Sequence, residues 1–320
     1  MSAAAAPLLV SHPDCDLHQA PGHPERPERL AAIDEALAAD PGLSALPRHR
    51  PEPARRHLLE SVHDPRYVAA IFDAGAIADA RGSGEWLDAD TWLGPSSVAA
   101  ALASAGGAVA AVQSVLAGEQ SSAFSLTRPP GHHATRSRAM GFCLFNNIAI
   151  AAQAALDSGL ERVAIVDFDV HHGNGTQDIF YERSDVLYLS CHEYPLYPGT
   201  GAASERGSGN GEGFTVNAPM TAGGAGSEYL SVFDDLFAPA LREYQPQLLL
   251  LSAGFDAHHN DPLAQMELES ADYGILAGRI SRWAAELCDS RSAWCLEGGY
   301  DLRGLSESVV EVVKELSQAG

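Results

Sequence analysis

Short apolar runs alternate with longer segments of helical periodicity along most of the chain. Five apolar runs of seven residues each have the composition and length of buried β-strands, and they lie at 121–127, 162–168, 185–191, 247–253 and 292–298. Segments around these runs predict helices at 27–39, 65–80, 96–118, 147–158, 227–243, 270–289 and 305–317. Strands that alternate with helices favour a mainly parallel sheet with helices on both faces, which is a three-layer α/β fold.

A stretch rich in Gly and Ser, at 198–213, is long enough to be a linker. A strand-like segment follows it directly, so we interpret it as a long surface loop. With 320 residues, of which 46% are hydrophobic, the chain can bury a large core. We therefore predict a single domain over residues 1–320.

The amino-acid composition limits the kinds of binding partner and the cellular compartment that suit this protein. The chain has 42 Asp and Glu against 20 Lys and Arg, a formal net charge of −22, and such a surface repels phosphate backbones. Five irregularly spaced cysteines do not suit a disulfide framework. The N-terminal stretch MSAAAAPLLV lacks the basic region of a signal peptide, and the apolar segment 99–118 is rich in Ala and interrupted by Ser, Gly and Gln, which favours a buried helix. We predict a cytoplasmic protein with neither nucleic-acid nor membrane partners.

The polar stretch VDFDVHHGNG begins where the apolar run 162–168 ends. In an extended chain, alternate side chains project to the same side, so Asp167, Asp169 and His171 share one side while Phe168 and Val170 share the other. An Asp-x-His pair on one side is a plausible first half of a zinc site. Acidic residues at strand ends also cap helices, and a helix near Thr176 would be such a neighbour.

Other predicted strands are also followed by side chains that can bind a metal or take part in catalysis. His132 and His133 follow the run 121–127, Asp256 follows 247–253, and Tyr300 follows 292–298. A parallel sheet brings the carboxyl ends of its strands to one edge, where ligands bind in open α/β folds. A third carboxylate, from Asp256, completes a metal site with an open coordination position, as in hydrolytic zinc sites.

Six stretches now carry a resemblance to a known family: RPPGHHA, GFCLFNNIAIAA, VDFDVHHGNGTQDIF, YPGTG, SAGFDAHHNDPL and LEGGY. In this order they resemble the histone deacetylase and acetylpolyamine amidohydrolase family, in particular its class II branch. The resemblance runs from GHPERPERL, at Gly22, to the C-terminal helix. It implies an arginase-like α/β fold with an eight-stranded, mainly parallel sheet, and a zinc-dependent amidohydrolase. The implied substrates are acyl-lysine-like groups, acetylated polyamines or other small acylated amines.

Position by position, the resemblance makes Asp169, His171 and Asp256 the ligands of one Zn²⁺ per chain. His132 and His133 match the tandem histidines, of which one assists water attack and protonates the leaving amine while the other gives electrostatic support. Which histidine takes which role stays open.

Three further residues match catalytic positions. Asp167 matches the hydrogen-bond partner of the first tandem histidine, and Asn174 stands opposite the second, where class I members carry Asp. A neutral partner stabilises imidazolium less, so the two histidines should differ in pKa. Tyr300 matches the hydroxyl that stabilises the oxyanion. By itself, a tyrosine after two glycines would more often be a packed aromatic at a turn.

The resemblance also implies a substrate channel, formed by Gly141, Phe142, Tyr197, Leu263, Gly298 and Gly299. Phe142 and Tyr197 match its two aromatic walls, although either ring could equally be a core residue. Leu263 falls where the polyamine-preferring class II enzyme carries a glutamate, which weakens the polyamine interpretation without excluding it.

One or two structural K⁺ or Na⁺ ions are expected beside the zinc. The first site would use the carbonyl groups of Asp167, Asp169, His171 and Cys191 with the hydroxyl of Ser190. The second would use the carbonyl groups of Phe180, Arg183, Val186 and Phe214. Oxygen ligands suit these ions better than zinc.

Two rival functions differ in one feature each. A binuclear manganese hydrolase of the arginase type needs further Asp residues in the metal-binding loops, where this chain reads HHGNG and AHHN. His258 and His259, in the second of these loops, are not expected to be ligands. A silent binding module for an acetylated ligand would be favoured by loss of a ligand, a tandem histidine or Tyr300, and none is lost. The physiological substrate and any homo-oligomer, in which a second copy could narrow the channel, stay open.

Overall fold

The computed structural model describes residues 6–318, and its centre is a parallel β-sheet. In chain order the strands of this part are β1 Leu8–Val10, β2 Arg48–His49, β3 Glu85–Trp86, β4 Trp92–Leu93, β5 Ser122–Ser125, β6 Val163–Asp167, β7 Val186–Glu193, β8 Thr215–Met220, β9 Leu249–Ala253 and β10 Ser292–Leu296. Eight of them form one sheet in the order β2-β1-β5-β10-β9-β6-β7-β8, and every neighbouring pair is parallel. The strands β3 and β4 form a separate antiparallel pair.

Each of the five apolar runs forms a strand of the large sheet, namely β5, β6, β7, β9 and β10. The strand-like segment after the loop 198–213 is β8. The sequence did not predict β1 and β2, which are only 3 and 2 residues long and therefore too short to show a periodic pattern.

The α-helices are α1 Glu28–Ala39, α2 Arg56–Glu60, α3 Pro65–Arg81, α4 Ser97–Leu116, α5 Asn147–Asp157, α6 Asn174–Phe180, α7 Gly226–Val232, α8 Ala238–Tyr244, α9 Ser270–Leu287 and α10 Leu302–Gln318. The helix predicted at 227–243 is divided, because a π-helical turn, Phe233–Phe237, joins α7 to α8. Pro239, in the first turn of α8, has no N–H for the carbonyl four residues before it, and its ring crowds that carbonyl. A wider turn before the proline relieves this conflict.

Two hydrophobic clusters lie on the two faces of the sheet. Along β6, Ala164 and Val166 belong to one cluster, whereas Val163 and Ile165 belong to the other. Alternation between the clusters follows from the two-residue period of a strand that is buried on both faces. Helix α4 is long and apolar enough to cross a membrane, but 67% of its most apolar window is buried inside the fold.

The order of the central strands positions the polar residues. Strands β5, β10, β9 and β6 are consecutive neighbours in the sheet. Because all four run in the same direction, the segments that follow them leave the sheet at the same edge. These segments carry His132, Tyr300, Asp256 and Asp169, one from each strand.

Candidate active site

Two carboxylates and a histidine converge just beyond β6 and β9. His171 Nδ1 lies 3.0 Å from Asp256 Oδ2 and 3.3 Å from Asp169 Oδ1. The side chains of Phe168 and Val170 point the other way, into the hydrophobic cluster. The alternation that the sequence indicated therefore continues past Asp167, the last residue of β6.

Backbone N–H groups hold the two carboxylates in place. Asp169 Oδ1 accepts the N–H of His171 at 2.9 Å, and Asp169 Oδ2 accepts the N–H of Gly298 at 2.8 Å. Asp256 Oδ1 accepts the N–H of Val170 at 3.0 Å. A Cβ atom at position 298 would collide with both carboxylates. Glycine therefore lets the segment after β10 pass close to the carboxylates.

The three side chains fit a zinc ion. Ligand atoms at the usual zinc distances lie about 3.3 Å apart in a tetrahedral site, which is close to the separations observed here. The cluster also attracts positive charge: burial lowers the pKa of His171, but hydrogen bonds to Asp169 and Asp256 outweigh this effect and raise it to about 10. A divalent cation would compete with the proton for the same groups.

The tandem histidines lie beside this cluster, with ring centroids 4.1 Å apart. His132 Nδ1 donates to Asp167 Oδ2 at 3.0 Å, and its Nε2 lies 3.8 Å from Asp169 Oδ1. His133 Nδ1 donates to the side-chain oxygen of Asn174 at 2.9 Å. The structure thus places Asp167 and Asn174 opposite the two histidines as the sequence indicated.

The pKa values of the two histidines are shifted in opposite directions. Burial lowers the pKa of His132, but the carboxylates of Asp167 and Asp169 outweigh burial and raise it to about 10. Burial lowers the pKa of His133 well below its usual value, and the neighbouring charges of His132 and His171 lower it further. The surroundings therefore favour the charged form of His132 and the neutral form of His133.

Tyr300 is 9% exposed and lies between two other side chains. The ring of Phe142 meets it edge to face at 5.6 Å, and the guanidinium of Arg29 lies 4.9 Å from its ring centroid. The backbone N–H of Tyr300 donates to Asp261 at 2.6 Å. The tyrosine is thus held by its ring and by its backbone, and it lines the cavity that also exposes Asp169 and His171.

A cavity of about 200 Å³ leads to the candidate metal-ligand cluster. We call the buried group Asp169, His171, Asp256, His132, His133 and Tyr300 its base; all of these except Asp256 line the cavity directly. We call Phe142, Leu196, Tyr197 and Leu263 its outer wall. Among the described residues, the cavity is lined by Asp90, Pro130, His132, His133, Gly141, Phe142, Asp169, His171, Leu196, Tyr197, Leu263, Gly298 and Tyr300.

Gly141 and Phe142 both adopt left-handed backbone conformations, with φ values of 57° and 69°. The loop before β4 holds them there. Asp90 Oδ1 accepts the N–H of Gly141, and the hydroxyl oxygen of Thr91 accepts the N–H of Phe142, each at 3.2 Å. A positive φ is unusual for a residue with a bulky side chain, so these contacts fix the position of one channel wall.

Gly299 was expected in the channel, but it is not among the residues that line the cavity. Its carbonyl accepts a hydrogen bond from Arg29 Nε at 2.7 Å, and its φ is 117°. The positive φ turns the chain away from the cavity after Gly298. Gly298 therefore lines the cavity, whereas the carbonyl of Gly299 points to the buried Arg29.

Sequence reasoning missed a buried charged network behind Tyr300, composed of Glu25, Arg29, Arg128 and Glu297. Arg128 Nε donates to Glu25 Oε1 at 2.6 Å, and Arg29 donates to the carbonyl groups of Glu297 and Gly299. Burial raises the pKa of Glu25, but Arg128 outweighs burial and lowers it to about 2. In a sequence, buried charged residues cannot be told apart from the charged residues of the surface. The available signal was the presence of Glu25 and Arg29 in GHPERPERL and of Glu297 in LEGGY.

Residues of the two expected monovalent cation sites are brought together in pairs. Ser190 is paired with Asp167 across β6 and β7, and its hydroxyl lies 2.9 Å from His192 Nδ1. At the second site, the carbonyl of Phe180 accepts the N–H of Arg183 at 2.9 Å, and the carbonyl of Phe214 accepts that of Tyr188 at 2.9 Å. A carbonyl oxygen has two lone pairs, so each could still bind a cation.

A second group of metal-binding residue types consists of the buried His258 and the exposed His259 and Glu269. His258 Nδ1 accepts the backbone N–H of Asn260 at 3.2 Å, which places the ring proton on Nε2, 3.2 Å from Ser270 Oγ. Both ring nitrogens of His258 are therefore engaged. That His258 and His259 are not ligands stays an expectation.

Comparisons with known proteins agree with this fold. The histone deacetylase domain family matches residues 23–316. The chain is 39% identical, over 319 residues, to the histone deacetylase-like amidohydrolase of Pseudomonas aeruginosa, covering 98% of this chain and 83% of that protein. It is 40% identical, over 299 residues, to a probable deacetylase of Archaeoglobus fulgidus, covering 92% of this chain and 82% of that protein.

Two crystal structures share the fold. The HDA15 HD domain has a TM-score of 0.91 and 36% identity, with coverage of 98% of this chain and 89% of that one. An acetylpolyamine aminohydrolase from Burkholderia pseudomallei has a TM-score of 0.88 and 32% identity, with coverage of 97% and 98%. The predicted arginase- and deacetylase-like fold class is confirmed. Fold and site thus define a hydrolase of the deacetylase and amidohydrolase class, and the chain belongs to the histone deacetylase family.

Proposed function

We propose that this protein is a zinc-dependent amidohydrolase that removes an acetyl or related acyl group from an amine nitrogen. The observation that carries the proposal is the convergence of a carboxylate–histidine–carboxylate cluster, two histidines of opposite pKa shift and a buried tyrosine at the base of one cavity. The proposal does not extend to the two rival functions. Within residues 6–318 no second set of ligands adjoins the cluster, and every residue of the base is of the type that the resemblance implies.

Asp169, His171 and Asp256 would hold the zinc, which when bound supplies a Lewis acid that polarises the amide carbonyl and lowers the pKa of a water. The N–H groups of Val170, His171 and Gly298 orient the carboxylates for this task. Because these donors belong to the backbone, the ligands are preorganised by the fold.

We assign the proton transfers to His133. Its Nδ1 donates to Asn174, so Nε2 is the nitrogen that can accept a proton from the attacking water and later deliver it to the amine when the C–N bond breaks. His132 lies between the carboxylates of Asp167 and Asp169, which favour its charged form. It would stabilise negative charge on the reacting carbonyl oxygen without giving up a proton.

We assign the remaining oxyanion hydrogen bond to Tyr300, whose ring lines the cavity beside Asp169 and His171. Burial raises the pKa of its hydroxyl well above the usual value, so the hydroxyl keeps its proton and can donate. Phe142 and Tyr197 would enclose the methylene groups of the substrate between two rings.

The substrate class is an acylated amine carried on a flexible apolar stem. Leu263 lines the cavity and is half-buried, so no carboxylate stands at this position to attract a second ammonium group. This favours acyl-lysine-like groups and small acylated amines over acetylated polyamines. We retain the monovalent cations, K⁺ or Na⁺, as structural ions at the two expected sites.

We also propose a cytoplasmic location. All five cysteines are free and buried in the structure, and a reducing compartment keeps thiols in that state.

Metal analysis and a substrate panel together test the proposed function. We expect about one zinc per chain, and higher kcat/KM values for acyl-lysine peptides and small acyl amides than for acetylpolyamines. Two manganese ions per chain, or zinc without hydrolysis of any acyl amide, would contradict the proposal.

A further inference from the structure

A buried carboxylate outside the proposed mechanism contacts the loop of the tandem histidines. Glu297 directly follows β10 and is fully buried. Its Oε2 accepts the backbone N–H of Gly131 at 2.6 Å and that of His132 at 3.1 Å. A single carboxylate oxygen therefore fixes two consecutive peptide groups at the start of the histidine pair.

The backbone around Glu297 is fixed just as firmly. The N–H of Glu297 donates to Ala253, the last residue of β9, at 2.9 Å, and its carbonyl accepts from Arg29. The next N–H, of Gly298, donates to the proposed ligand Asp169 at 2.8 Å. Glu297 and Gly298 thus connect the histidine loop, through one side chain and one peptide group, to the metal-ligand cluster.

We infer that Glu297 is a positioning residue, which sets the distance between the tandem histidines and the metal-ligand cluster through the two hydrogen bonds of its Oε2. The inference rests on the proposed function, because that distance matters only if His132 and His133 act on a substrate at the cluster. The length of the side chain at position 297 should therefore matter more than its charge.

Two observations indicate that the side-chain length of Glu297 matters more than its charge. Both hydrogen bonds use Oε2, while Oε1 has no partner among the described residues. Burial also raises the pKa of Glu297 to about 7, so the neutral acid is well populated near neutral pH. A glutamine has one oxygen at the same reach and could accept both N–H groups. An aspartate keeps the charge but is one methylene shorter.

The experiment compares Glu297→Gln with Glu297→Asp in the zinc-loaded full chain. We expect Glu297→Gln to keep kcat within about 3-fold, and Glu297→Asp to lose about 10- to 100-fold in kcat, since displacements of about 1 Å cost rate on this scale. KM and zinc content should change little in either variant. Glu193→Asp is the matched control, because it shortens another buried glutamate, whose Oε2 accepts the N–H of Gln265.

A proton NMR spectrum supplies a readout that is independent of turnover. The proton between His132 Nδ1 and Asp167 gives a downfield signal, which should shift in Glu297→Asp and stay in place in Glu297→Gln. Wild-type kcat in Glu297→Asp, an unshifted signal in that variant, a Glu297→Gln enzyme as slow as Glu297→Asp, or zinc loss in proportion to kcat would each overturn the inference. If the wild-type protein hydrolyses no acyl amide, the proposed function fails, and the NMR comparison still decides whether Glu297 positions the loop.

Discussion

At the base of the cavity, Asp169, Asp256 and His132 are at most 2% exposed, whereas on the outer wall Tyr197 is 36% exposed. Each base residue accepts or donates hydrogen bonds that come from neighbouring strand ends. The outer wall is formed by loops, and its contacts are mainly between rings, as between Tyr197 and His133 at 5.1 Å. The difference indicates that the sheet determines the reaction, while the loops determine which acylated amine reaches it.

The largest effect should come from removing a ligand at the base. Asp169→Ala deletes one of the three proposed protein ligands and a charge that would balance the cation, so we expect zinc to fall from about one per chain to near zero, together with activity. The fold should persist, because Asp169 belongs to neither hydrophobic cluster. Atomic absorption measures the zinc content, and circular dichroism measures whether the fold persists. Asp235→Ala, at an exposed carboxylate, is the control, and full zinc in Asp169→Ala would refute the ligand assignment.

The same chemical change at the base and at the outer wall sharpens the comparison. Tyr300→Phe keeps the ring packing against Phe142 but loses the proposed oxyanion hydrogen bond, which should cost about 10²- to 10³-fold in kcat with little change in KM. The loss should be smaller for trifluoroacetyl amides, whose carbonyl groups are already activated. Steady-state kinetics on both substrates decide the matter, and equal rates in wild type and variant would make Tyr300 a packing residue.

On the outer wall, a new charge should change selectivity and leave the chemistry intact. Leu263→Glu should raise the kcat/KM for acetylpolyamines relative to acetyl-lysine peptides by about fivefold, since a partly exposed ion pair contributes about 1 kcal/mol. Leu263→Gln is the uncharged control. If both variants shift the ratio equally, polarity and not charge sets the preference, and the distinction between wall and base would need another explanation.

The smallest effect is expected for Tyr197→Phe. No hydrogen bond involves its hydroxyl within residues 6–318, and its contacts with His133 and His171 are made by the ring. We expect kcat/KM to stay within about 2-fold of wild type, because the apolar enclosure of the substrate is preserved. A loss comparable with that of Tyr300→Phe would mean that the outer wall takes part in the chemistry.

The sequence predicted the residues at the base better than the buried charged residues behind them, such as Glu297 and Arg29, for a physical reason. Asp169, Asp256 and His132 follow long apolar runs, so their positions could be inferred from strand direction alone. Glu297 and Arg29 could not be recognised in the same way, because a buried ion or carboxylate is stabilised by partners far away in the sequence. Arg29, for example, contacts the carbonyl of Gly299 across 270 positions.

Turns and short strands limited the rest of the prediction. Strands β1 and β2 carry too few residues for periodicity. β1 pairs with the longer β5, and β2 pairs with β1. Gly299 was placed in the channel although its positive φ directs it away from the cavity. Asp90 lines the cavity through a loop that contains no apolar pattern at all. The assigned roles of the site residues and the single domain over 1–320 remain predictions.

The place of β10 in the sheet has a consequence for synthesis of the chain. Among the strands of residues 6–318, β10 is the last to be synthesised, yet it lies between β5 and β9, near the middle of the sheet. Until Ser292–Leu296 has emerged, β5 and β9 each present an edge without its neighbour, and such edges pair readily with other chains. The nascent protein must therefore keep the two parts of the sheet from aggregating until β10 has been made. The same strand also brings Glu297 and Tyr300 to the finished site.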